Sequence, residues 1–222
     1  MDIIQAMYER HTVRSYTSEP IAPAVVKKLQ ERIAQDNAAF DVDVRLMTDD
    51  ASAFNVAIKL VLAKGVRNYL ILAGSAAPDV DERLGYVGAD LMLYAQTLGL
   101  NSWWVGGTFR RKAMEEKVPG KKVIGVIALG YGATQGKPHK SKPAAAVSSY
   151  DGLPVPVWFT QGVDAALLAP TALNRQAFTI HGRGDAVRIT CGAGTFSGAD
   201  CGIVKYHFEQ GAGKGSFRWD EG

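Results

Sequence analysis

The feature that most constrains the fold is a helix-forming stretch at residues 88–98 that is apolar on nearly every side. Its sequence, GADLMLYAQTL, does not confine its apolar residues to a single stripe. A helix of this kind has to be buried all round, so the rest of the chain must pack around it. Gly99 is a typical residue at the end of such a helix. The sequence therefore predicts a fold built around a buried central helix.

Several other segments have the periodicities of helices and strands. Residues 68–73 (NYLILA) and 123–130 (VIGVIALG) are almost wholly apolar runs, which are typical of central strands. Alternation at residues 40–46 predicts a half-buried strand. A helix with its apolar stripe at Val25, Val26, Leu29 and Ile33 should precede it and end at Asn37. Helices and strands are thus mixed along the chain.

Composition limits the classes of partner. The chain has 222 residues, 47% hydrophobic and 21% charged, with a net charge of +3, which is ordinary for a globular protein with a sizeable core. Basic residues are not interleaved with aromatics, so no nucleic acid is expected. No apolar run has membrane-spanning length, and no signal peptide is evident. Cys191 and Cys201 have neither metal-site nor disulfide-framework spacing. We expect a cytoplasmic protein without a metal, and an anionic small ligand.

The N-terminal segment at residues 9–16, ERHTVRSY, has a pattern that suits a phosphate. Arg10, Thr12 and Arg14 alternate, so in an extended segment their side chains point the same way. Two guanidinium forks and a hydroxyl on one edge match phosphate oxygens, because the planar forks bind them bidentately. Taken alone, the pattern also fits a solvated surface strand.

A second motif lies at residues 169–178, APTALNRQAF. It resembles the motif A-P-S/T-x-x-N-x-Q-P-W of the nitroreductase family of FMN-dependent enzymes, with Ala177 and Phe178 in place of Pro-Trp. The segment at residues 9–16 is similar to that family's N-terminal motif R-R/H-S/T-x-R-x-Y/F. We refer to residues 169–178 as the proline loop.

The resemblance implies an FMN site. It assigns the flavin phosphate to Arg10, His11, Thr12 and Arg14, completed by Lys140 and Lys142 from the basic segment 136–143. A plain Pro- and Lys-rich linker is the alternative reading of that segment. Val105, Gly106 and Gly107 would pass over the flavin ring, where backbone without side chains allows close approach. The proline loop would contact the ring through Pro170, Thr171, Ala172, Leu173, Asn174 and Gln176. No catalytic residue is implied.

The resemblance also implies a nitroreductase-like α+β fold, with a mixed, mainly antiparallel sheet packed by helices around the buried central helix. An internal duplication is indicated as well. Four positions recur at a constant offset of 114, pairing Gly88, Gly99, Ser102 and Trp103 with Gly202, Gly213, Ser216 and Phe217. We expect a first repeat at residues 1–147, a linker at 148–157 and a shorter second repeat at 158–222, together forming one composite FMN-binding domain.

The activity implied by the resemblance is that of an FMN-dependent oxidoreductase. Such an enzyme passes hydride from NAD(P)H through flavin N5 to a nitroaromatic, quinone or similar electrophile in a ping-pong mechanism. A non-catalytic flavin-binding or storage protein on the same scaffold is the alternative, and a scaffold that binds no flavin is a weaker one. Because each repeat carries only one of the two motifs, we expect one FMN per chain. The chain should be a monomer that acts as a pseudo-dimer, with a homodimer as the alternative.

Overall fold

The computed structural model describes residues 1–220 of the chain. Helices and strands are mixed along it, with two short 3-10 helices at Ala144–Ala146 and Ala172–Asn174. In chain order the elements are α1 Ile3–Glu9, α2 Pro23–Phe40, β1 Arg45–Met47, α3 Val56–Val61, β2 Asn68–Gly74, α4 Val80–Thr97, β3 Asn101–Val105, α5 Arg111–Glu115, β4 Lys122–Gly130, β5 Ser148–Asp151, α6 Val157–Ala166, β6 Phe178–Arg183, β7 Ala186–Cys191, α7 Ser197–Ala212 and β8 Arg218–Trp219.

The first sheet is antiparallel throughout and has the strand order β1-β2-β4-β3. Its central strands β2 and β4 are the two apolar runs of the sequence, and nearly all their residues are buried. The N-terminal segment extends the sheet beyond β3, because Val13 N–H donates to the Ser102 carbonyl at 3.1 Å. The basic N-terminal motif therefore runs along the edge of this sheet in an extended conformation.

The second sheet has the order β5-β6-β7-β8 and is mixed. Strands β6 and β7 form an antiparallel hairpin, whereas β5 and β8 run parallel to their neighbours. Alternate residues of β6 are buried, as expected of a strand with one solvated face. The α+β class is thus confirmed, with the strands divided between two sheets.

The predicted central helix is α4, and it is buried along most of its length. Its most extensive packing is against α7, and two glycines permit that packing. A Cβ atom at Gly85 would lie 2.2 Å from the Ala199 carbonyl oxygen, and one at Gly202 would lie 1.9 Å from that of Glu82. Any larger residue at either position would push the two helices apart.

The structure differs from the sequence-based expectations in three segments. Helix α2 does not end at Asn37 but continues to Phe40, where Asp41 caps it with φ +48°. The strand expected at residues 40–46 is correspondingly shorter and later, as β1. The expected linker at 148–157 contains β5, which pairs with β6.

Two observations are consistent with the proposed duplication. Helices α4 and α7 pack together, and each is followed or ended by a glycine with φ +83°, Gly99 and Gly213. Residues 221 and 222, the end of the proposed second repeat, lie outside the described residues. Within residues 1–220, no helix is both long enough and apolar enough to cross a membrane.

Candidate functional site

A cavity of about 650 Å³ is formed where both motifs meet α7. Most of the residues singled out in the sequence line it. From the N-terminal segment these are Arg10, His11, Thr12 and Arg14; from the end of β3 they are Val105, Gly106 and Gly107; and from the proline loop they are Pro170, Thr171, Ala172, Leu173 and Asn174. Lys140, Lys142 and Gln176 do not line the cavity.

Arg10 is the most unusual side chain in this cavity. It follows α1 directly and is only 4% exposed, yet its Nε atom has no hydrogen-bond partner among the described residues. No carboxylate of residues 1–220 forms an ion pair with it. Burial lowers the pKa of Arg10 to about 10, so the guanidinium is still charged at neutral pH. A buried, unpaired cation that lines a cavity favours an anionic ligand.

Other cationic groups surround Arg10. The Arg14 guanidinium lies 5.2 Å from the centroid of the Trp103 ring, in a cation–π arrangement that holds it at the cavity wall. Lys137 and His139 line the cavity from the segment that follows β4. Burial and the Arg10 charge lower the pKa of His11. Arg10, Arg14 and Lys137 therefore supply the positive charge on this side of the cavity.

The end of β3 brings bare backbone to the cavity. Gly106 has no side chain, and the Phe196 ring occupies the space beside it, because a Cβ atom there would lie 2.6 Å from Phe196 Cε1. Phe196 is 36% exposed at the cavity wall. Gly106 therefore accommodates the Phe196 ring, whereas a Cβ atom at Gly107 would meet only the edge of that ring, at 4.0 Å, which leaves space for a flat ligand beside Gly107.

The proline loop has a strained backbone. Leu173 and Asn174 both have φ +53°, in the left-handed region that non-glycine residues rarely adopt. Two hydrogen bonds hold the loop in this form. Ala172 N–H donates to Asp200 Oδ1 at 2.9 Å, and Asn174 Nδ2 donates to the Lys140 carbonyl at 2.8 Å. Strain that the surroundings maintain in this way is typical of binding loops.

Gln176 and Lys142 support the loop from behind. Gln176 is 1% exposed; its Nε2 donates to the Leu167 carbonyl at 3.0 Å and its Oε1 accepts from Lys142 N–H at 2.7 Å. Lys142 Nζ donates to the Gln176 carbonyl at 2.9 Å. The ammonium group of Lys142 is thus occupied by the loop, and Lys140 contributes its backbone carbonyl to Asn174.

Asp200 is the carboxylate that lines the cavity. It lies in the first turn of α7, and burial raises its pKa to about 6, although the hydrogen bond from Ala172 N–H acts in the opposite direction. It therefore carries a negative charge above about pH 6 and holds the proline loop to α7.

Sequence reasoning missed several lining residues. On α7 and just before it, Phe196, Ala199 and Ile203 recur at a helical spacing that could have identified one face. Lys137 and His139 lay within the basic segment already singled out, but nothing in its pattern distinguished them from Lys140 and Lys142. The missed lining residues are Met92, Trp103, Trp104, Thr108, Lys137, His139, Phe196, Ala199, Asp200 and Ile203.

Comparisons with known proteins identify the family of the chain. Residues 2–212 match the model of a family described as "Putative TM nitroreductase". That match covers nearly the whole chain, and the chain belongs to this nitroreductase family. The family and the fold place the chain in the general class of flavin-dependent oxidoreductases. No curated protein matches the chain in sequence.

Solved structures show that the fold is shared. A nitroreductase-like protein of Thermotoga maritima MSB8 superposes with a TM-score of 0.69 at 21% identity, over 94% of this chain and 82% of its own. A nitroreductase-like protein of Desulfovibrio desulfuricans, solved in complex with FMN, has a TM-score of 0.54 at 17% identity, over 70% of this chain and 98% of its own. A Bacteroides thetaiotaomicron protein described as an NADH dehydrogenase/NAD(P)H nitroreductase has a TM-score of 0.51 at 18% identity, over 65% and 95%.

Proposed function

We propose that the chain binds FMN in this cavity and acts as an NAD(P)H-dependent oxidoreductase. The observation that carries the proposal is Arg10, a buried guanidinium with no anionic partner in residues 1–220. Folding leaves that charge uncompensated, so an anionic ligand group stabilises the protein there. A phosphate monoester, with a charge of about −1.5 to −2, suits a wall of several cations.

The residues present fit FMN better than a dinucleotide. The cavity offers basic groups for one terminal phosphate, and no G-x-G-x-x-G fingerprint follows a strand in the sequence. The family relative from Desulfovibrio desulfuricans was solved with FMN, which supports the same choice. Released cofactor should therefore be identified as FMN by chromatography; FAD would contradict the proposal, as would the lack of bound flavin after incubation with excess FMN.

The phosphate in this proposal is bound by the N-terminal segment. Arg10 and Arg14 supply guanidinium forks and Thr12 a hydroxyl. Lys137 and His139 complete the basic wall in the place that the sequence suggested for Lys140 and Lys142. Those two lysines serve the site indirectly, through their bonds to the proline loop.

The ring in this proposal lies between the end of β3 and the proline loop. Gly107 leaves room for it, and the apolar side chains of Leu173 and Phe196 lie at the cavity wall. Leu173 is 85% exposed, so a bound ring or an apolar acceptor would cover side-chain surface that now faces water. Asp200 fixes the loop that positions Leu173.

The chemistry that FMN supplies when bound is two-electron transfer through N5, from NAD(P)H to a nitroaromatic, quinone or similar electrophile in a ping-pong cycle. The chain's own residues bind and orient the two ligands and exclude water from the ring. A flavin-binding or storage protein would share all of these contacts. Anaerobic stopped-flow mixing separates the two functions: NADH or NADPH should bleach the flavin absorbance of the enzyme, and an unbleached flavin would favour storage.

We further propose that the chain contains one complete site, built from a first repeat at 1–147 and a second at 158–222. Under the offset of 114, the cavity residues Met92 and Asp200 correspond to Tyr206 and Tyr86. Tyr206 donates to Asp90 Oδ1 at 2.7 Å, and Tyr86 donates to Glu209 Oε1 at 2.7 Å. In this proposal, these bulky, hydrogen-bonded side chains stand where a reciprocal site would need open space.

A further inference from the structure

His207 is a fully buried histidine of α7 with one unpartnered ring nitrogen. Its Nδ1 lies 2.8 Å from the Ile203 carbonyl oxygen. A carbonyl can only accept a hydrogen bond, so Nδ1 carries the proton and Nε2 presents a lone pair. Burial lowers the pKa of His207 to about 3, so the ring is neutral at physiological pH. The Nε2 atom has no hydrogen-bond partner among residues 1–220.

Arg10 presents the complementary group. Its Nε–H is a donor, is equally buried and is also without a partner in the described part of the chain. Arg10 follows α1, which packs on α7, and it lines the cavity together with Ile203, one helical turn from His207. After burial, the positive charge of Arg10 is among the influences that lower the pKa of His207. A buried donor and a buried acceptor thus lie where α1 meets α7, and neither has a hydrogen-bond partner in the described part of the chain.

We propose that His207 is a positioning residue for Arg10. One buried water accepts a hydrogen bond from Nε–H of Arg10 and donates one to Nε2 of His207, and this bridge fixes the plane of the guanidinium. The terminal Nη groups then face the cavity as a fork for a phosphate. The inference deepens the proposed function and rests on it, because the ligand group concerned is the FMN phosphate.

An ordinary core role does not explain the histidine. Under the offset of 114, the corresponding residue of α4 is Leu93, which is also fully buried. A leucine would fill such a position without a buried polar atom, whereas an unsatisfied nitrogen is destabilising. A role as hydrogen-bond acceptor in the bridge to Arg10 explains a polar residue at this buried position, whereas packing in an apolar core does not.

The test compares FMN with riboflavin, which has the same ring but no phosphate. Dissociation constants of the apoprotein for both ligands are measured by flavin fluorescence at pH 7, and their ratio reports the phosphate interaction. His207→Leu should lower the preference for FMN over riboflavin about tenfold, because the fork loses its orientation. His207→Gln, which keeps an amide oxygen as acceptor, should retain most of the preference. If His207→Leu does not fold, the more pliable His207→Met replaces it.

Tyr206→Phe is the matched control. It alters the adjacent buried position of α7 and removes a hydrogen bond to Asp90 that lies away from the cavity, so it should leave the ratio unchanged. An unchanged ratio in His207→Leu would overturn the inference, as would an equal loss of FMN and riboflavin affinity. If the wild-type protein binds neither ligand, or does not prefer FMN, it is the proposed function that fails. The flavin affinities of the wild type alone decide that question, so it is separate from any change that the His207 variants cause.

Discussion

Arg10, the proposed phosphate-binding residue, illustrates how a side chain suited to a ligand can oppose folding. Its guanidinium is buried without a carboxylate partner in the described chain, and removing a charge from water in this way is unfavourable. In the apoprotein, the free-energy cost of burying this charge is therefore not offset, and a bound anion would offset it. Stability without ligand and affinity for the ligand should change in opposite directions when Arg10 is replaced.

Arg10→Met tests this opposition. We expect the free energy of unfolding of the apoprotein to rise by about 1 kcal/mol, since an apolar chain of similar length replaces a buried charge. We expect FMN binding to weaken by about 2 kcal/mol or more, because a fork on the phosphate is lost. Urea unfolding and fluorescence titration measure the two quantities. Lys27→Met, on the wet face of α2, should change neither. A less stable apoprotein with normal FMN affinity would contradict this account of Arg10.

Arg14 differs from Arg10 in exposure, and its replacement should differ too. It is exposed and stacks on Trp103, so solvent already screens its charge. Arg14→Ala should weaken FMN binding by about 2 kcal/mol, with no gain in apoprotein stability. The same two measurements apply. If Arg14→Ala stabilised the apoprotein as Arg10→Met does, the contrast between a buried and an exposed cation would be wrong.

At the scale of elements, the proline loop depends on a few anchors. Asn174→Asp replaces the Nδ2 donor to the Lys140 carbonyl with a carboxylate oxygen, which repels that carbonyl. The loop residues with φ +53° then lose a restraint, and we expect FMN affinity to fall about tenfold. Flavin titration measures the effect.

Asn37→Asp is the control, because it makes the same change of amide to carboxyl at a position outside the proline loop. In the structure the Asn37 side chain donates to the Val44 carbonyl at 3.0 Å and accepts from Val44 N–H at 2.8 Å. This variant should lower the free energy of unfolding by about 1 kcal/mol and leave FMN affinity unchanged. Equal losses of FMN affinity in both variants would show that the proline loop has no special role.

A second element-scale prediction concerns the carboxyl groups between α2 and α4. The Arg32 guanidinium makes two hydrogen bonds to Asp90, at 2.7 and 2.6 Å, and Asp36 lies beside this pair. Burial and the Asp90 charge raise the pKa of Asp36 from 3.8 to about 7. The folded protein therefore binds this proton more tightly than the unfolded chain does between these two pH values.

Because the folded-state pKa is raised, the stability that the proton contributes is fully present below about pH 4. It is lost as the pH rises towards 7. Between pH 5 and 7 the free energy of unfolding should fall by about 2 kcal/mol through this group. Asp36→Asn should remove most of that slope, as measured by urea unfolding across the pH range. The assignment would be refuted if the free energy of unfolding of the wild type rose between pH 5 and 7 and that of Asp36→Asn rose equally.

Local patterns predicted the buried elements well and the loops poorly. The apolar runs of β2 and β4 and the all-round apolar α4 leave little choice of conformation, because burial of that much apolar surface requires the core. The expected end of α2 at Asn37 was wrong. Asparagine often ends a helix because its side chain bonds nearby backbone, and here the Asn37 side chain bonds the Val44 backbone from within the helix. Lys137 and Lys142 have the same chemistry, and only the path of the segment decides which of them faces the cavity.

At the scale of the whole molecule, the site joins segments that are far apart in sequence. Arg10 and Asn174 line one cavity because α1, α4 and α7 pack together, and the glycine contacts between α4 and α7 fix that packing. Motifs could identify both ends of the site but not α7 residues such as Phe196, because tertiary packing alone brings them there. The proposed duplication accounts for this distribution of the site if the first repeat keeps the arginines and the second keeps the proline loop.

The measurement that tests this account most directly combines light scattering with flavin absorbance on one purified sample. We predict the mass of a single chain and one FMN per chain. Our proposal has both halves of the site within that chain, and Tyr86 and Tyr206, which the offset of 114 assigns to the reciprocal position, are hydrogen-bonded to Glu209 and Asp90. Two flavins per chain would contradict this prediction. So would flavin that only a dimer retains and that is released when the dimer dissociates.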